Sequence, residues 1–192
     1  SARGPVGRPS AARLRELASF QYPPTGIAYP PHRAGGLISE AARSAGAKLI
    51  NGEGERFVDE LKARDIVASA ILRECAQGRG IIREGQVGVL LDTPTLEMEH
   101  PGILDKRLVT LSHLAHKCGH DAAKEPFLVY PTLHYQNGGV AIDGHGTTSV
   151  SGLYCVGEVA GGIHGRNRLM GNALLDILSM GRRAGASAAE AK

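Results

Sequence analysis

The stretch LHYQNGGVAIDGHGTTSVSGLYCVGEVAGGIHGRNRLMGNALLDILSMGRRAG, residues 133–185, holds the polar residues around which the chain is organised. Loop-forming glycines surround four of them: His134, Glu158, His164 and Arg168. A helix is predicted to begin at Gly171-Asn172-Ala173 and to end at Gly181, and its first backbone N–H groups are free to bind an anion. We therefore predict a site for a large anionic or polar ligand.

The composition is typical of a soluble globular protein. Hydrophobic residues make up 42% and charged residues 21% of the 192 residues, enough for a core in one or one and a half domains. A net charge of +3 and an aromatic content of 4% argue against nucleic acid as a partner. No apolar run approaches the roughly 20 residues of a membrane-spanning helix, and the first residues lack the apolar centre of a signal peptide.

The three cysteines, Cys75, Cys118 and Cys155, are widely spaced and form no CxxC pair. This pattern predicts reduced thiols in a cytoplasmic compartment rather than a disulfide framework or a zinc site. His113 and His116 lie three positions apart on a predicted helix but have no carboxylate at ligand spacing. We interpret them as surface or packing residues and predict no metal site.

Hydrophobic periodicity predicts alternating helices and strands, joined by segments rich in glycine and proline. Predicted helices cover residues 11–18 (with Ser10 as N-cap), 37–47, 58–77, 104–118 and 172–181. Predicted strands cover residues 85–92, 125–131, 140–143 and 153–156, and a hairpin covers 48–57. Such a mixture is typical of an α/β protein.

Several charged residues allow more than one interpretation. Glu40 and Arg43 are neighbours on one predicted helix face and form either a surface ion pair or, if buried, a proton relay. Arg64, at the start of the next helix, is either solvated or paired with Asp65. Spacing alone leaves these questions open. Glu158 is predicted at the carboxyl end of a short buried strand, where α/β proteins bind the hydroxyls of a nucleotide or sugar alcohol.

Six motifs follow one another along most of the chain, from about Phe20 to Gly185. They are FQYPPTG (20–26), LISEAARSAGAKLINGEGERF (37–57), ARDIV (63–67), PTLHYQNGGVAID (131–143), SGLYCVGEVAGGIHGRNRLMGNALLDI (151–177) and MGRRAG (180–185). In this order they resemble the flavoprotein subunit family of succinate dehydrogenase, fumarate reductase and L-aspartate oxidase. Because several motifs agree, the resemblance is specific.

The resemblance implies an FAD-binding domain interrupted by an α+β capping domain that closes over the substrate. Residues 1–18 would be a lead-in from the FAD domain, residues 19–132 the capping domain, and residues 133–192 the C-terminal part of the FAD domain. No GxGxxG follows a predicted strand here, so the other half of the FAD domain would lie in a missing N-terminal segment or a partner chain. An iron–sulfur subunit is a further implied partner, and the expected location is cytoplasmic, peripheral to the membrane through partner subunits.

The resemblance also implies a reaction, hydride transfer between FAD and a C4 dicarboxylate such as succinate or fumarate. Arg64 matches the family's proton donor, and Glu40 and Arg43 match the path that reprotonates it. Residues matched to the binding of a substrate carboxylate are His134, Arg168 and, where the family usually has a threonine, Ser39.

Further matches concern the cofactor. Glu158, preceded by Gly157, matches the residue that hydrogen-bonds the ribityl chain of FAD. Asn172, Ala173 and Leu174 match the helix start whose N–H groups face the pyrimidine ring and stabilise negative charge on the reduced flavin.

One position departs from the family pattern. Pro23 replaces a substrate-binding histidine of the family's QFHPTG motif, and His32, nine residues further on, is a candidate replacement. A related dicarboxylate or another enoate therefore stays open as the substrate. Two alternative functions also stay open: an L-aspartate oxidase, and a degenerate, non-catalytic flavoprotein partner that keeps the capping domain as an interaction module.

Overall fold

The computed structural model describes residues 12–169 and 171–191, which divide into two compact units. The continuous unit spans Tyr22–Leu133, and the discontinuous unit combines residues up to Gln21 with those from His134 onward. Strands are numbered along the chain: β1 Leu14–Arg15, β2 Phe20–Gln21, β3 Gly26–Ile27, β4 Lys48–Ile50, β5 Ile81–Arg83, β6 Gln86–Asp92, β7 Phe127–Tyr130, β8 Tyr135–Gln136, β9 Gly139–Ala141 and β10 Ala160–Gly161. Helices are α1 Ala41–Ser44, α2 Arg64–Ala76, α3 Thr93–Glu99, α4 Ile103–Lys106, α5 Val109–Cys118 and α6 Asn172–Glu190. This content confirms the predicted mixed α/β class.

The continuous unit is built on an antiparallel sheet in the order β3-β7-β6-β4, with β5 also paired to β6. Val89 of β6 lies opposite Val129 of β7, and both side chains are fully buried. Helix α2 contacts these two strands and adds Val67 and Ile71 to the same core. Burial of such apolar surface is the main term that holds the unit together.

The discontinuous unit has β9 as its central strand, antiparallel to β1 and parallel to β10, while β2 pairs with β8. Two adjacent glycines let neighbouring backbones approach closely. A Cβ atom at Gly138 would lie 2.0 Å from the carbonyl oxygen of Glu16, and one at Gly139 would lie 2.1 Å from that of Val159. Only glycine fits at these two positions.

The predicted strands at 85–92, 125–131 and 140–143 are confirmed as β6, β7 and β9. The predicted hairpin at 48–57 is wrong as a two-stranded element, because β4 pairs with β6 instead. A single bridge between Ile50 and Arg56 links β4 to the predicted return segment. The sequence therefore located the long strands better than their pairing.

The predicted helix at residues 11–18 is wrong over its described part. Leu14 and its neighbour form β1, with Leu14 opposite Val140. In the strand, the backbone N–H and C=O groups are hydrogen-bonded by β9. A helix this short is only marginally stable by its own hydrogen bonds, so the tertiary contact overrides a weak local helix preference. Ser10 and Ala11 lie outside the described residues.

The other predicted helices of the continuous unit are present but shorter. The helix at 37–47 is reduced to α1, because Ile38 exchanges hydrogen bonds with Thr25 and cannot enter a helix. The helix at 58–77 begins only at the first residue of α2, and the helix at 104–118 is interrupted between α4 and α5. Among the described residues, none of the helices combines the length and apolar character that crossing a membrane requires.

Glu74 joins the end of α2 to the residue that follows β4. Its Oε2 accepts a hydrogen bond from Nδ2 of Asn51 at 3.0 Å, and Arg79 pairs with both carboxylate oxygens at 2.6 and 2.7 Å. The hydrogen bonds from Arg79 are the main reason that the pKa of Glu74 falls from 4.5 to about 2.

We expect Glu74→Gln to lower the free energy of unfolding near neutral pH by about 1–3 kcal/mol, because Arg79 loses its charged acceptor. Since the folded-state pKa is depressed, the stabilisation is complete above pH 4.5 and is lost as the pH falls towards 2. Denaturant unfolding of both proteins across this range measures the difference. A deficit that stayed constant down to pH 2 would contradict this account.

Candidate active site

Two arginine side chains of the continuous unit converge on one carboxylate oxygen. Arg64, the first residue of α2, directs Nε and Nη2 at Oε2 of Glu40, each at 2.9 Å. Arg43, in α1, places its Nη2 3.7 Å from the same oxygen. The Arg43 side chain is only 2% exposed, so its pairing with Glu40 is not a surface ion pair. The structure thus brings together the three residues matched to the family's proton path.

Burial changes the acidity of Arg43. Removal from water lowers the pKa of its guanidinium below the usual value, and the carboxylate of Glu40 acts in the opposite direction. Nη1 of Arg43 donates to the backbone carbonyl of Glu60, while its buried Nε has no partner within the described part of the chain. A guanidinium in this setting is deprotonated more easily than one in water, which suits a relay.

Glu60 supports this arrangement, although no sequence pattern pointed to a role for it. Its side chain is 5% exposed and pairs with Arg56 at 2.7 Å. Its carboxylate also accepts the backbone N–H of Leu49 at 2.8 Å. These contacts fix Glu60, whose backbone carbonyl accepts the hydrogen bond from Arg43. A four-residue spacing is typical of an ion pair on a helix, but residues 56–60 are not helical, and nothing local indicates that the carboxylate is buried.

Ser39 is exposed at the end of the segment that leads to Glu40. Its Oγ accepts the backbone N–H of Ala41 at 3.3 Å, as at a helix start. The segment itself is fixed by Thr25, which is 1% exposed. The Oγ1 of Thr25 donates to the carbonyl of Ile38 at 2.9 Å, and Ile38 N–H donates back to Thr25 at 2.9 Å. The motif FQYPPTG therefore positions Ser39 and Glu40 through its threonine.

The structure separates His32 from the cluster of Glu40, Arg43 and Arg64. Pro23 is buried, and its carbonyl accepts the N–H of Thr132 at 3.2 Å; it has no side-chain donor for a carboxylate. His32 lies on a short 3-10 turn, Pro31–Arg33, beside a cavity of about 430 Å³. Polar residues that line this cavity with it are Tyr29, Arg83, Glu84, His120 and Glu125. Glu40, Arg43 and Arg64 are not part of the lining.

Arg168 is held within the discontinuous unit by residues far away in the sequence. It is 7% exposed, and its Nη2 donates to Oε1 of Gln21 at 3.1 Å. Gln21 returns a hydrogen bond from Nε2 to the Arg168 carbonyl at 2.7 Å, and its own carbonyl accepts the N–H of the exposed His134 at 3.1 Å. The guanidinium carbon lies 4.2 Å from the centre of the Tyr135 ring. Gln21 thus contacts two of the three residues matched to carboxylate binding, His134 and Arg168.

Glu158 does not follow a buried strand, so that prediction is wrong. The predicted strand at 153–156 contributes one bridge, from Tyr154 to Thr147, because positive φ angles at Gly152 and Gly157 turn the chain at both ends. Glu158 instead lies in the 3-10 turn Gly157–Val159. Its carboxylate is exposed and accepts the backbone N–H of Gln136 at 2.9 Å, which orients it.

Helix α6 begins without a side-chain cap. Gly171, at φ 82°, turns the chain into the helix and offers no side-chain acceptor to the first N–H groups. The helix runs to Glu190 rather than to the predicted end at Gly181, so its aligned peptide dipoles extend over 19 residues. Asn172, Ala173 and Leu174 form its first turn.

These residues fit the flavin part of FAD. The exposed carboxylate of Glu158 can accept hydroxyl hydrogens from a ribityl chain, and the uncapped start of α6 can stabilise negative charge on a ring. Large apolar side chains around them are 60–75% exposed: Val159, Leu169, Leu174, Leu175 and Leu178. Such a surface is suited to an aromatic ring system or to a further protein segment.

Within residues 12–169 and 171–191, no group of three or more histidine, cysteine, aspartate or glutamate side chains is placed to hold a metal ion. His113 and His116 are both exposed on α5. The cysteines are free thiols, and burial raises the pKa of Cys75, Cys118 and Cys155.

The oriented carboxylate of Glu158 and the uncapped start of α6 are compatible with a flavin-dependent oxidoreductase. Residues 7–174 match the family described as FAD binding domain, and the chain belongs to that family. FAD is accordingly its cofactor. Its relatives are FAD-dependent oxidoreductases of the fumarate reductase, succinate dehydrogenase and L-aspartate oxidase group, which confirms the resemblance drawn from the six motifs.

Among these relatives, a fumarate reductase (CoM/CoB) subunit from Methanothermobacter marburgensis is 43% identical, over 94% of this chain and 33% of its own length. The L-aspartate oxidase of Xylella fastidiosa is 38% identical, over 91% of this chain and 33% of its own. In structure, the chain is similar to FrdA of E. coli quinol fumarate reductase, with a TM-score of 0.83 and 33% identity over 93% of this chain and 33% of that one. The chain thus spans about a third of the length of these relatives.

Proposed function

We propose that the chain is part of a flavoprotein that interconverts a C4 dicarboxylate pair of the succinate and fumarate type. The observation that carries this proposal is the convergence of Arg64 and Arg43 on Oε2 of Glu40. Two guanidinium groups on one carboxylate, one of them almost fully buried, are costly to assemble for stability alone. The same arrangement can pass protons from Arg43 through Glu40 to Arg64.

FAD, when bound, supplies or accepts the hydride at its N5 atom. Arg64 delivers a proton to the neighbouring substrate carbon in the direction of reduction. A guanidinium holds its proton tightly, so Arg64 can act only if it is reprotonated at once. Glu40, at 2.9 Å, is placed to return that proton, and Arg43 supplies Glu40 in turn, because burial lowers its pKa.

Arg168, His134 and Ser39 bind and polarise the substrate carboxylates in this proposal. The cation and hydroxyl groups withdraw charge from the double bond, so that one carbon accepts hydride more readily. Glu158, preceded by Gly157, holds the ribityl hydroxyls. The first turn of α6, Asn172, Ala173 and Leu174, stabilises the reduced ring.

The same proposal assigns a task to each unit. The continuous unit acts as the capping domain, and the discontinuous unit is the C-terminal part of the FAD-binding domain. The rest of that domain is supplied by a further segment or a partner chain, in line with relatives about three times as long. The proposal includes an iron–sulfur subunit as the electron partner. It also includes attachment to a membrane through partner subunits.

The test is oxidation of reduced flavin by defined acceptors, in the protein together with the rest of its FAD-binding domain. The flavin is reduced chemically under anaerobic conditions and mixed with fumarate, and its absorbance is followed. We expect rapid reoxidation by fumarate and no response to acetate, which has a single carboxylate. Flavin reduction by L-aspartate with formation of iminoaspartate would assign the oxidase instead. A complex that binds no flavin would support the non-catalytic alternative.

A further inference from the structure

A second pair of buried ionisable residues lies in the discontinuous unit, and the proposed reaction does not use it. Nε2 of His164 lies 3.6 Å from Oδ2 of Asp176, and their side chains are 7% and 3% exposed. Neither oxygen of Asp176 has a hydrogen-bond partner among the described residues, and neither has Nε2 of His164. The two side chains therefore depend on each other.

Such a buried pair is costly in folding free energy. Burying a carboxylate without hydrogen bonds destabilises a protein, and apolar side chains of similar volume usually pack as well. Asp176 faces the interior from the second turn of α6, where an apolar side chain would satisfy packing alone. A buried pair at this position points to a task beyond stability.

The contacts of His164 lead to the arginine matched to carboxylate binding. The His164 ring meets the Tyr135 ring edge to face, with centres 5.9 Å apart. Tyr135 in turn contacts the guanidinium of Arg168, whose carbon lies 4.2 Å from the ring centre. A continuous row of contacts thus runs from Asp176 through His164 and Tyr135 to Arg168.

We infer that His164 and Asp176 are positioning residues that set the orientation of Arg168 through the Tyr135 ring. This inference rests on the proposed function, in which Arg168 binds a substrate carboxylate. Asp176 fixes the His164 ring, the contact with that ring fixes the tilt of Tyr135, and the Tyr135 face fixes the plane of the guanidinium. Bidentate binding of a carboxylate requires that plane to be defined.

The remaining anchors hold mainly the loop that carries Arg168. Asn137 donates from Nδ2 to the carbonyl of Arg166 at 3.0 Å, and Gln21 bonds Asn167 and the Arg168 carbonyl. These bonds fix the loop, while Nη2 and Nη1 of the guanidinium donate to Oε1 of Gln21 at 3.1 Å and to the carbonyl of Leu169 at 3.2 Å. Leu169 is the next residue of the same loop and moves with Arg168, so the Gln21 bond and the contact with the Tyr135 face are what tie the guanidinium to other elements of the unit.

The experiment measures dicarboxylate binding separately from turnover, in the flavin-loaded protein with its complete FAD-binding domain. The probe is malonate, which has two carboxylates but lacks the pair of adjacent carbons that the reaction requires. Its Kd is measured by calorimetry, and KM and kcat are measured with fumarate. The variants are Asp176→Asn, which keeps the shape, His164→Phe, which keeps the ring, Arg168→Gln, and each of the first two combined with Arg168→Gln.

We expect Asp176→Asn and His164→Phe each to weaken malonate binding about 10-fold and to raise KM similarly, because a misplaced clamp loses binding energy. The change in kcat should be smaller. In the Arg168→Gln background, neither substitution should weaken binding further, since residues that act through one group are not additive. His145→Phe, at an exposed position of the same unit, is the matched control and should bind malonate normally.

Normal malonate binding by both single variants, with binding lost in Arg168→Gln, would overturn the inference and leave the proposed function standing. An equal further loss of malonate affinity when either substitution is added to Arg168→Gln would also overturn the inference. Normal binding by Arg168→Gln itself would remove the role of Arg168, and the inference with it. Thermal unfolding and flavin content monitor the fold. If Asp176→Asn fails to fold, His164→Phe decides the question, and failure of both would show a purely structural pair.

Discussion

Replacing Arg64 with glutamine is expected to lower kcat by about 10²–10⁴-fold, because a positioned proton donor contributes that much to a rate. Flavin content should not change, since the Arg64 side chain bonds Glu40 and no group matched to the cofactor. Arg64→Lys should also be impaired. A lysine has one nitrogen where Arg64 directs both Nε and Nη2 at the same carboxylate oxygen. Steady-state fumarate reduction and the flavin absorbance spectrum measure the two effects.

Arg73→Gln provides the matched control for Arg64. Arg73 is an exposed arginine of the same helix, α2, and it lies about 14 Å further along the helix axis than Arg64. Its replacement should leave kcat within about twofold, as for a surface substitution worth less than about 0.5 kcal/mol. If Arg64→Gln turned over fumarate at the wild-type rate, the assignment of the proton donor would be wrong. Loss of flavin in that variant would indicate a structural role.

Gly139→Ala is expected to destabilise the protein by about 3 kcal/mol or more, at the upper end of the cost of overpacking. The added Cβ would lie 2.1 Å from the carbonyl oxygen of Val159 and 2.8 Å from its carbon. Both are backbone atoms, so no side-chain rotation can relieve the clash. Because Val159 belongs to the same 3-10 turn as Glu158, flavin binding should weaken together with stability. Denaturant unfolding and flavin retention on dilution measure the two losses.

Gly144→Ala is the control for this prediction. A Cβ at Gly144 meets no heavy atom within 4 Å, and the residue does not adopt a positive φ. Its replacement should change the free energy of unfolding by less than about 0.5 kcal/mol. Equal effects of the two substitutions would show that the close approach of β9 to the turn is not what holds Glu158.

Elements with a strong local pattern were predictable. The apolar run of β6 and the pattern of α2 located two core elements, and the three-residue spacing of Glu40 and Arg43 placed them on one face. The contact between them, at 3.7 Å, agrees with that spacing. Short segments failed, as β1 and the turn around Glu158 show. A segment of a few residues with glycines nearby is too short to show a hydrophobic period. Its conformation depends on the strands and turns that it contacts.

The sequence by itself determined the family, because the motifs and their order along the chain can be recognised without any knowledge of contacts. It also determined which residues are candidates for the site. Only the tertiary structure decided which of those candidates touch, and which unremarkable residues support them. Arg64 reaches Glu40 across 24 positions, and Arg168 reaches Gln21 across 147. The burial of Glu60, and of the pair formed by His164 and Asp176, is likewise a product of folding. Local patterns report neighbours within a few residues, because helix and strand geometry repeats over that distance. Contacts over longer separations arise from the packing of whole elements, and no local pattern contains them.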